Sequence, residues 1–321
     1  LFCIDHKTNR VSKSEQSTIV QKKKIFCLHR KDDASFYFGT AFSIFTCKID
    51  SGISKTNDFP ENIIQPYCML KVSDSIILIG THIGIYQLNV YTNRLNYYCL
   101  SNRIVRALFK ASNGLILAGT YGNGIYHIKN NQAYPIPIDK NENLKSTHTF
   151  MEDRQHIIWM SSNNGLYKVS LHELNDYISG KQDFNPYYYR YSYDDGFMTN
   201  EFNGGCFPSA IAINHSTWSF PTMKGLVWFK PNEMPSGQNN SAIFIDKIVL
   251  NDIEVNTKNS NLINTETHRF KLSIYFSSPN WTDDNNLQLE YKLDGKDEHS
   301  SWKLILENNA PLEFQNLSGG Q

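Results

Sequence analysis

The chain has 321 residues, which is long enough for two domains. Lys plus Arg and Asp plus Glu balance at 31 each, so no overall charge favours nucleic acid or an anionic membrane as a partner. No run of about 20 apolar residues occurs, so this segment predicts no membrane-spanning helix. The 18 tyrosines favour strands and surfaces that are half apolar and half hydrogen-bonding.

The first ten residues, LFCIDHKTNR, do not form a signal peptide, because charged residues arrive before an apolar region is complete. They match residues 85–94, IYQLNVYTNR, in which an apolar strand is followed by a turn. We therefore expect the chain to start inside a repeat unit and to be a fragment, with signals or anchors outside it.

Five segments share one pattern, in which a short apolar run ends in a small-residue pair, crosses a tight turn and continues as a second apolar run. These segments are 35–45, 76–86, 115–126, 157–167 and 217–228. The equivalent positions are Gly39, Gly80, Gly119, Ser161 and Pro221, at intervals of 41, 39, 42 and 60 residues. A period near 40 with two such strands per copy predicts a β-propeller, in which each blade is one small sheet.

Within each unit we predict four strands, with the first strand innermost and a more polar strand outermost. Segments 25–30 and 106–111 are examples of the inner strand, and segment 95–100 is an example of the outer one. Glycine in the Gly-Thr pair allows neighbouring blades to approach closely, and threonine can hydrogen-bond the turn backbone. The excess in the fourth interval lies in 183–205, which we interpret as an outer strand and a long connection.

The cysteines predict free, packed thiols, because they form no CxxC pair and no metal-ligand spacing. They are Cys3, Cys27, Cys47, Cys68, Cys99 and Cys206. Cys27 and Cys68 each lie 12 residues before a repeat glycine, where Ala107 stands in the next unit. Equivalent positions in successive blades favour a small buried residue.

A linker rich in Pro, Asn and Ser follows at 230–241, and period-two strands without Gly-Thr copies come after it. This change predicts two domains. Residues 1–235 form the propeller blades, and residues 236–321 form a β-sandwich that is incomplete at its C-terminus.

The order of these features resembles a known family. The Gly-Thr…Gly-(Ile/Leu)-Tyr units resemble two-component regulator propeller repeats, and 194–234 is similar to the closing blade of that family. Segment 287–302, LQLEYKLDGKDEHSSW, resembles the tyrosine-rich immunoglobulin-like module that follows it. Together these segments resemble the periplasmic sensor region of Bacteroidetes hybrid two-component histidine kinases.

The resemblance implies two seven-bladed propellers, the sandwich, a membrane helix, and cytoplasmic kinase and regulator parts. Such sensors detect oligosaccharides and regulate polysaccharide-utilisation genes. We therefore expect an all-β chain of about five full four-stranded blades and part of another, truncated from seven, followed by an immunoglobulin-like sandwich. Ser161-Ser162 and Pro221-Thr222 depart from the Gly-Thr pattern.

The resemblance also implies a periplasmic location as part of an inner-membrane protein, and a homodimer formed through the sensor region. An oligosaccharide is the expected ligand. We expect no cofactor, no metal and no nucleic acid partner, and no catalytic residues in this chain, since the kinase motifs lie elsewhere in such a protein.

The ligand-binding prediction concerns one face of the propeller, where the turns after the Gly-Thr pairs meet the connections from outer to inner strands. Aromatic rings there can stack on the CH faces of a sugar, while amide and cationic groups bind its hydroxyls. The candidate residues are His82, Arg103, Tyr121, Asn123, Asn163, Asn164 and Lys224. The same predicted face includes Phe42, Asn102, Met223 and parts of 139–146 and 194–203.

Three alternatives remain open. A secreted propeller enzyme, a lyase or glycoside hydrolase, would need paired carboxylates on the inner strands, where Glu152 and Asp153 stand only at one strand end and are interpreted as solvated turn acids. A cytosolic interaction scaffold of the WD-repeat type would lack the sandwich. Finally, the ligand could contact mainly a propeller that is not in this chain.

Overall fold

The computed structural model of the protein describes residues 2–4, 11–13, 24–48, 52–58, 65–214, 216–234, 242–255, 269–279, 286–293, 302–305 and 310–318. The fold is almost entirely β, as predicted. A two-stranded antiparallel pair, β1 (Phe2–Ile4) and β2 (Val11–Lys13), comes first. Five sheets follow in chain order, and we refer to them as blades one to five.

In each blade the strands pair antiparallel with their neighbours in the chain. Blade one contains β3 (Ile25–Arg30), β4 (Ser35–Thr40), β5 (Ser43–Lys48) and β6 (Gly52–Asp58). Blade two contains β7 (Pro66–Lys71), β8 (Ile76–Thr81), β9 (Gly84–Asn89) and β10 (Arg94–Cys99). Blade three contains β11 (Val105–Lys110), β12 (Ile116–Thr120), β13 (Ile125–Lys129) and β14 (Gln132–Ile136). Blade four contains β15 (Thr147–Glu152), β16 (Ile157–Ser162), β17 (Gly165–Ser170) and β18 (Tyr189–Tyr191).

Blade five has three strands among the described residues, namely β19 (Ile211–Ala212), β20 (Trp218–Thr222) and β21 (Gly225–Phe229). It packs on blade four through an aromatic core. The Trp159 ring stacks on Tyr191 at 5.4 Å between centroids and meets the Trp218 ring edge-on at 6.2 Å. The side chains of Phe202 and Phe220 are fully buried in the same core.

In blades one to four the first strand is the inner one, as predicted. β3 contacts β7, β7 contacts β11, and β11 contacts β15, so these strands pack against one another in chain order. The repeat glycines make this packing possible. A β-carbon on Gly80 would lie 2.8 Å from Cγ1 of Val105 in the next blade, which is closer than real side chains allow. Gly39 and Gly119 meet the next inner strand in the same way.

The turn after each repeat position is closed by the same hydrogen bond, in which a hydroxyl donates to a backbone carbonyl at 2.7–3.3 Å. The pairs are Thr40 with Ser43, Thr81 with Gly84, Thr120 with Gly124, Ser162 with Gly165, and Thr222 with Gly225. The turn therefore survives where Ser161 and Pro221 replace glycine, because the hydroxyl residue that follows them is retained.

The extra residues of the fourth interval begin earlier in the chain than the predicted position 183. Helix α1 (Leu171–Ile178) follows β17 directly, and the Ser170 side chain caps it by accepting a hydrogen bond from the Glu173 N–H. Leu171 and Leu174 are buried, and Ile178 packs beside them against the core of blades three and four. The predicted outer strand is present as β18, and the predicted long connection follows it.

Four cysteines are free and buried, as predicted: Cys27, Cys47, Cys68 and Cys99. Burial raises the pKa of the Cys27 thiol to about 12, so this group stays protonated at neutral pH. Cys206 is free but exposed. The Cys3 side chain lies outside what the structure describes.

The C-terminal strands form two sheets. One has the order β23 (Ile253–Val255), β22 (Phe244–Leu250), β24 (Arg269–Ser277), β27 (Leu312–Ser318), and the other pairs β25 (Leu289–Tyr291) with β26 (Lys303–Ile305). The rings of Tyr291 and Phe314 meet edge-on at 5.5 Å and join the two sheets, as in the predicted sandwich. The predicted boundary at 235/236 lies outside the described residues, so the division into domains stays a prediction. Within the described residues, no helix has the length and apolarity needed to span a bilayer.

Candidate ligand-binding site at the inner-strand bulges

Each inner strand of blades one to four has a β-bulge at the same place. The register shifts between Ile25 and Cys27 in β3, and at the equivalent point in β7, β11 and β15. The extra residues are Phe26, Tyr67, Arg106 and His148, which we call the bulge cluster. A bulge redirects a side chain out of the regular alternation of the strand, and bulges are frequent beside functional sites.

The bulge cluster is continuous from blade to blade. The rings of Phe26 and Tyr67 meet edge-on at 6.2 Å. The Arg106 guanidinium carbon lies 4.1 Å from the centroid of the Tyr67 ring and 5.2 Å from that of Tyr121. The charge of Arg106 also reaches His148, the next member, and lowers the pKa of its imidazole.

Arg106 is held in place by rings rather than by anions. The Tyr67 hydroxyl donates to Oε1 of Gln65 at 2.6 Å, which fixes the ring under the guanidinium group. Stacking of a guanidinium on an aromatic face contributes about 0.5–2 kcal/mol. Nε of Arg106 is buried and has no hydrogen-bond partner within the described part of the chain.

His148 is buried and uncharged at neutral pH. Burial lowers the pKa of its imidazole, a hydrogen bond to Asn163 opposes this shift, the nearby Arg106 charge lowers the pKa further, and Glu201 raises it. Nε2 lies 2.7 Å from Oδ1 of Asn163, so it donates to that oxygen and leaves Nδ1 unprotonated. Nδ1 is buried without a partner among the described residues.

The connection between blades four and five crosses the bulge cluster. A β-carbon on Gly204 would overlap the His148 ring, so glycine is required for this close approach. Gly205 lies beside Nη1 of Arg106 and has a φ of +90°, which side chains rarely adopt. Further along, Phe207 pairs with β3 by donating its N–H to the Phe26 carbonyl at 3.1 Å. The connection therefore contacts blades one, three and four.

The structure brings two of the predicted residues, Tyr121 and Asn163, to the bulge cluster. Tyr121 is 45% exposed, which leaves part of its ring open for contact. Asn164 is hydrogen-bonded within the protein, since its Oδ1 accepts from Arg190 at 2.9 Å and its Nδ2 donates to Asn143 at 2.8 Å.

The remaining predicted residues lie on the turns but do not join the bulge cluster. His82, Asn123 and Lys224 are exposed, each on the turn of its own blade. The Arg103 guanidinium donates to the carbonyl of Asn102 at 3.2 Å and lines a separate groove between the outer parts of blades two and three. The location of these residues does not show whether they contact a ligand. The predicted ligand contacts therefore stay predictions.

The sequence alone did not identify the four members of the bulge cluster, namely Phe26, Tyr67, Arg106 and His148. They stand 13 residues before the repeat positions, so the repeat spacing itself carried a usable signal. In a regular strand the side chains alternate between the two faces of the sheet, so these residues would be expected to point toward a neighbouring blade. The β-bulge breaks this alternation and redirects their side chains. No sequence pattern marks the bulge as such.

The acids at the end of β15 are engaged in turns. Glu152 accepts from the Ser112 N–H at 2.7 Å and contacts Nδ1 of His156 at 2.8 Å. Burial opposes ionisation of Glu152, but the hydrogen bonds from Ser112 and His156 outweigh it and lower the pKa of this carboxyl. Asp153 accepts from Nε1 of Trp159 at 2.7 Å. Both are partly buried rather than fully solvated, and among the described residues no group of three potential metal ligands occurs.

A second feature joins the propeller to the C-terminal sheets. Asn286 is 7% exposed, and its side-chain amide pairs with the backbone of Arg190 in β18. Oδ1 accepts from the Arg190 N–H at 2.6 Å, and Nδ2 donates to the Arg190 carbonyl at 2.8 Å. The Tyr187 hydroxyl donates to the Asn286 carbonyl, and Lys140 donates to that of Leu287, both at 2.7 Å. We call this group the Asn286 clamp.

Comparison with known proteins finds no protein-family model that matches the chain. A curated protein from Formosa agariphila named "Histidine kinase P4" is 27% identical over 208 residues. The match covers 61% of this chain and 14% of that protein, so this chain spans a small part of the length of its relative.

Similar solved structures include extracellular domains of two bacterial regulatory systems. One belongs to a hybrid two-component system of B. thetaiotaomicron, with 17% identity, a TM-score of 0.39, and coverage of 95% of this chain and 52% of that chain. Another belongs to a one-component system of B. thetaiotaomicron, with 13% identity, a TM-score of 0.42, and coverage of 99% and 57%. Virginiamycin B lyase from Staphylococcus aureus is also similar, with 12% identity, a TM-score of 0.43, and coverage of 81% and 85%.

Proposed function

We propose that this chain is the ligand-sensing region of an extracytoplasmic sensor that belongs to a transmembrane histidine kinase, and that its ligand is an oligosaccharide. The main support for this proposal is that residues from successive blades converge at the bulge cluster. Aromatic rings and hydrogen-bonding groups meet there, with Tyr121 partly open beside Arg106.

The chemistry of this cluster suits a sugar. The open part of the Tyr121 ring offers a face for CH groups, and the amide of Asn163 and the N–H groups of Arg106 offer directional partners for hydroxyls. A catalytic site for glycoside cleavage would need two facing carboxylates. Glu152, the described inner-strand carboxylate, is instead bound to Ser112 and His156.

The sequence relative supports a sensor role, since it carries the name of a histidine kinase. The match covers only 14% of that protein, so it does not include most of the relative. That this chain belongs to a longer protein with kinase activity is therefore itself part of the proposal. A periplasmic location, attachment to the inner membrane through further segments, and dimerisation through the sensor region complete it.

Signal transmission would use the Asn286 clamp. Ligand binding changes the population of two states only if it binds them with different affinity. A shift of blade four on ligand binding would move β18, and the paired amide of Asn286 would carry that movement to the C-terminal sheets. The clamp is suited to this because its partner atoms on Arg190 belong to the backbone of a blade strand.

Isothermal titration of the full chain with a panel of oligosaccharides tests the proposal. We expect at least one to bind with a Kd in the millimolar range or tighter, and Tyr121→Ala to weaken that binding about tenfold, the loss of one stacking contact. Tyr91→Ala is the matched control, because Tyr91 is 75% exposed and lies away from the bulge cluster. The proposal fails if no oligosaccharide binds, or if Tyr121→Ala and Tyr91→Ala have equal effects.

A further inference from the structure

Arg106 carries a positive charge that has no anionic partner in the described part of the chain. Its buried Nε lacks an acceptor, and no described carboxylate forms an ion pair with it. Glu201 acts electrostatically on the neighbouring His148, and Lys24 lies 5.0 Å from the Phe26 ring at the other end of the cluster. A charged donor that is removed from water without an acceptor destabilises the folded protein.

The aromatic contacts explain the position of the Arg106 side chain, but they do not provide a hydrogen-bond acceptor for its N–H groups. Tyr67 and Tyr121 offer ring faces, and the Tyr67 hydroxyl is already used in its bond to Gln65. The Nη groups of Arg106, unlike its buried Nε, therefore remain available to an oxygen from outside the protein. Arg106 is half-buried, so part of its side chain is open to such a partner.

We infer that the ligand carries an anionic group, a carboxylate or a sulfate ester, and that Arg106 binds this group. The inference rests on the proposed function and narrows its substrate class to acidic oligosaccharides. A guanidinium group matches the oxygens of these anions with paired hydrogen bonds. The neighbouring Tyr121 ring would then stack on the sugar that bears the acid.

The test compares acidic oligosaccharides with neutral ones of the same linkage, by isothermal titration of the full chain in 150 mM NaCl. The carboxylate pair is trigalacturonate and its carboxyl-reduced form. The sulfate pair is a neocarrabiose-series tetrasaccharide and its desulfated form. Three variants accompany the wild type: Arg106→Gln, Arg106→Lys and, as a matched control, Arg94→Gln, which removes an exposed arginine charge from the outer strand of blade two.

We expect at least one acidic compound to bind about tenfold or more tightly than its neutral partner, as for one charge-assisted hydrogen-bonded pair. Arg106→Gln should abolish this preference, Arg106→Lys should retain part of it, and Arg94→Gln should retain all of it. Whichever pair shows the preference identifies the anion.

The comparison on wild-type protein needs no variant, so it holds even if Arg106→Gln fails to fold, which thermal unfolding would reveal. If neutral compounds bind as tightly as acidic ones, or if folded Arg106→Gln keeps the preference, the inference is overturned and the proposed sugar-binding function stands. If neither acidic nor neutral compounds bind at millimolar concentration, the proposed function is overturned as well.

Discussion

The Asn286 clamp gives the sharpest quantitative prediction about the coupling between the propeller and the C-terminal sheets. Asn286→Ala removes two hydrogen bonds to the backbone of Arg190, a residue that is 7% exposed. Each buried polar group that loses its partner costs about 1–3 kcal/mol. We therefore expect the local stability of β18 to fall by about 2–4 kcal/mol, which is the sum for the N–H and the carbonyl with partial compensation by water.

Hydrogen exchange at the Arg190 amide measures this loss directly, because Oδ1 of Asn286 is the acceptor for that N–H. A loss of 2 kcal/mol corresponds to exchange that is about 30-fold faster. Asn96→Ala is the matched control, since Asn96 is an exposed residue of the outer strand of blade two. The reasoning is refuted if protection at Arg190 changes less than about twofold, or if both variants behave alike.

Three further predictions concern packing, thiol chemistry and acid stability. Gly80→Ala places a methyl group 2.8 Å from Cγ1 of Val105, so we expect a loss of about 1–3 kcal/mol in urea unfolding, and an unchanged midpoint would contradict the close packing of blades. Cys206 should react with a maleimide well before the buried inner-strand cysteines, as peptide mass mapping would show, and equal labelling rates would argue against their burial. The pKa of Glu152 is lower in the folded protein than in the unfolded chain, where it is near 4.5. Its ionised form therefore stabilises the fold at pH values above 4.5, and this stabilisation is lost as the pH falls through the folded-state pKa. Glu152→Gln should therefore be less stable than the wild type at pH 7 and approach it below pH 4.5, and a difference that is constant with pH would refute the role of the Ser112 contact.

The sequence predicts most of the propeller because its packing repeats. The intervals between Gly39, Gly80 and Gly119 reflect one physical constraint, the close approach of each blade to the next inner strand. The hydroxyl that follows each repeat position closes the turn in every copy, which explains why Ser162 and Thr222 preserve it. Local constraints of this kind recur in the sequence and are visible there.

The site depends on features that do not repeat as residue types. The bulge positions hold Phe, Tyr, Arg and His in successive blades, so their shared location is visible only once the register is known. Arg106 and Tyr121 meet because a bulge and a turn from one blade come together beside Tyr67 of another. Asn286 reaches Arg190 from 96 residues away, which no local pattern encodes.

Hydrogen exchange of the full chain with and without the tightest-binding oligosaccharide would show where the ligand binds. If the ligand binds at the bulge cluster, protection should increase at 104–107, 121–123 and 163, and in the crossing segment 201–205. Protection that is confined to other surfaces, such as the groove beside Arg103, would show that the bulge cluster is not the ligand-binding site.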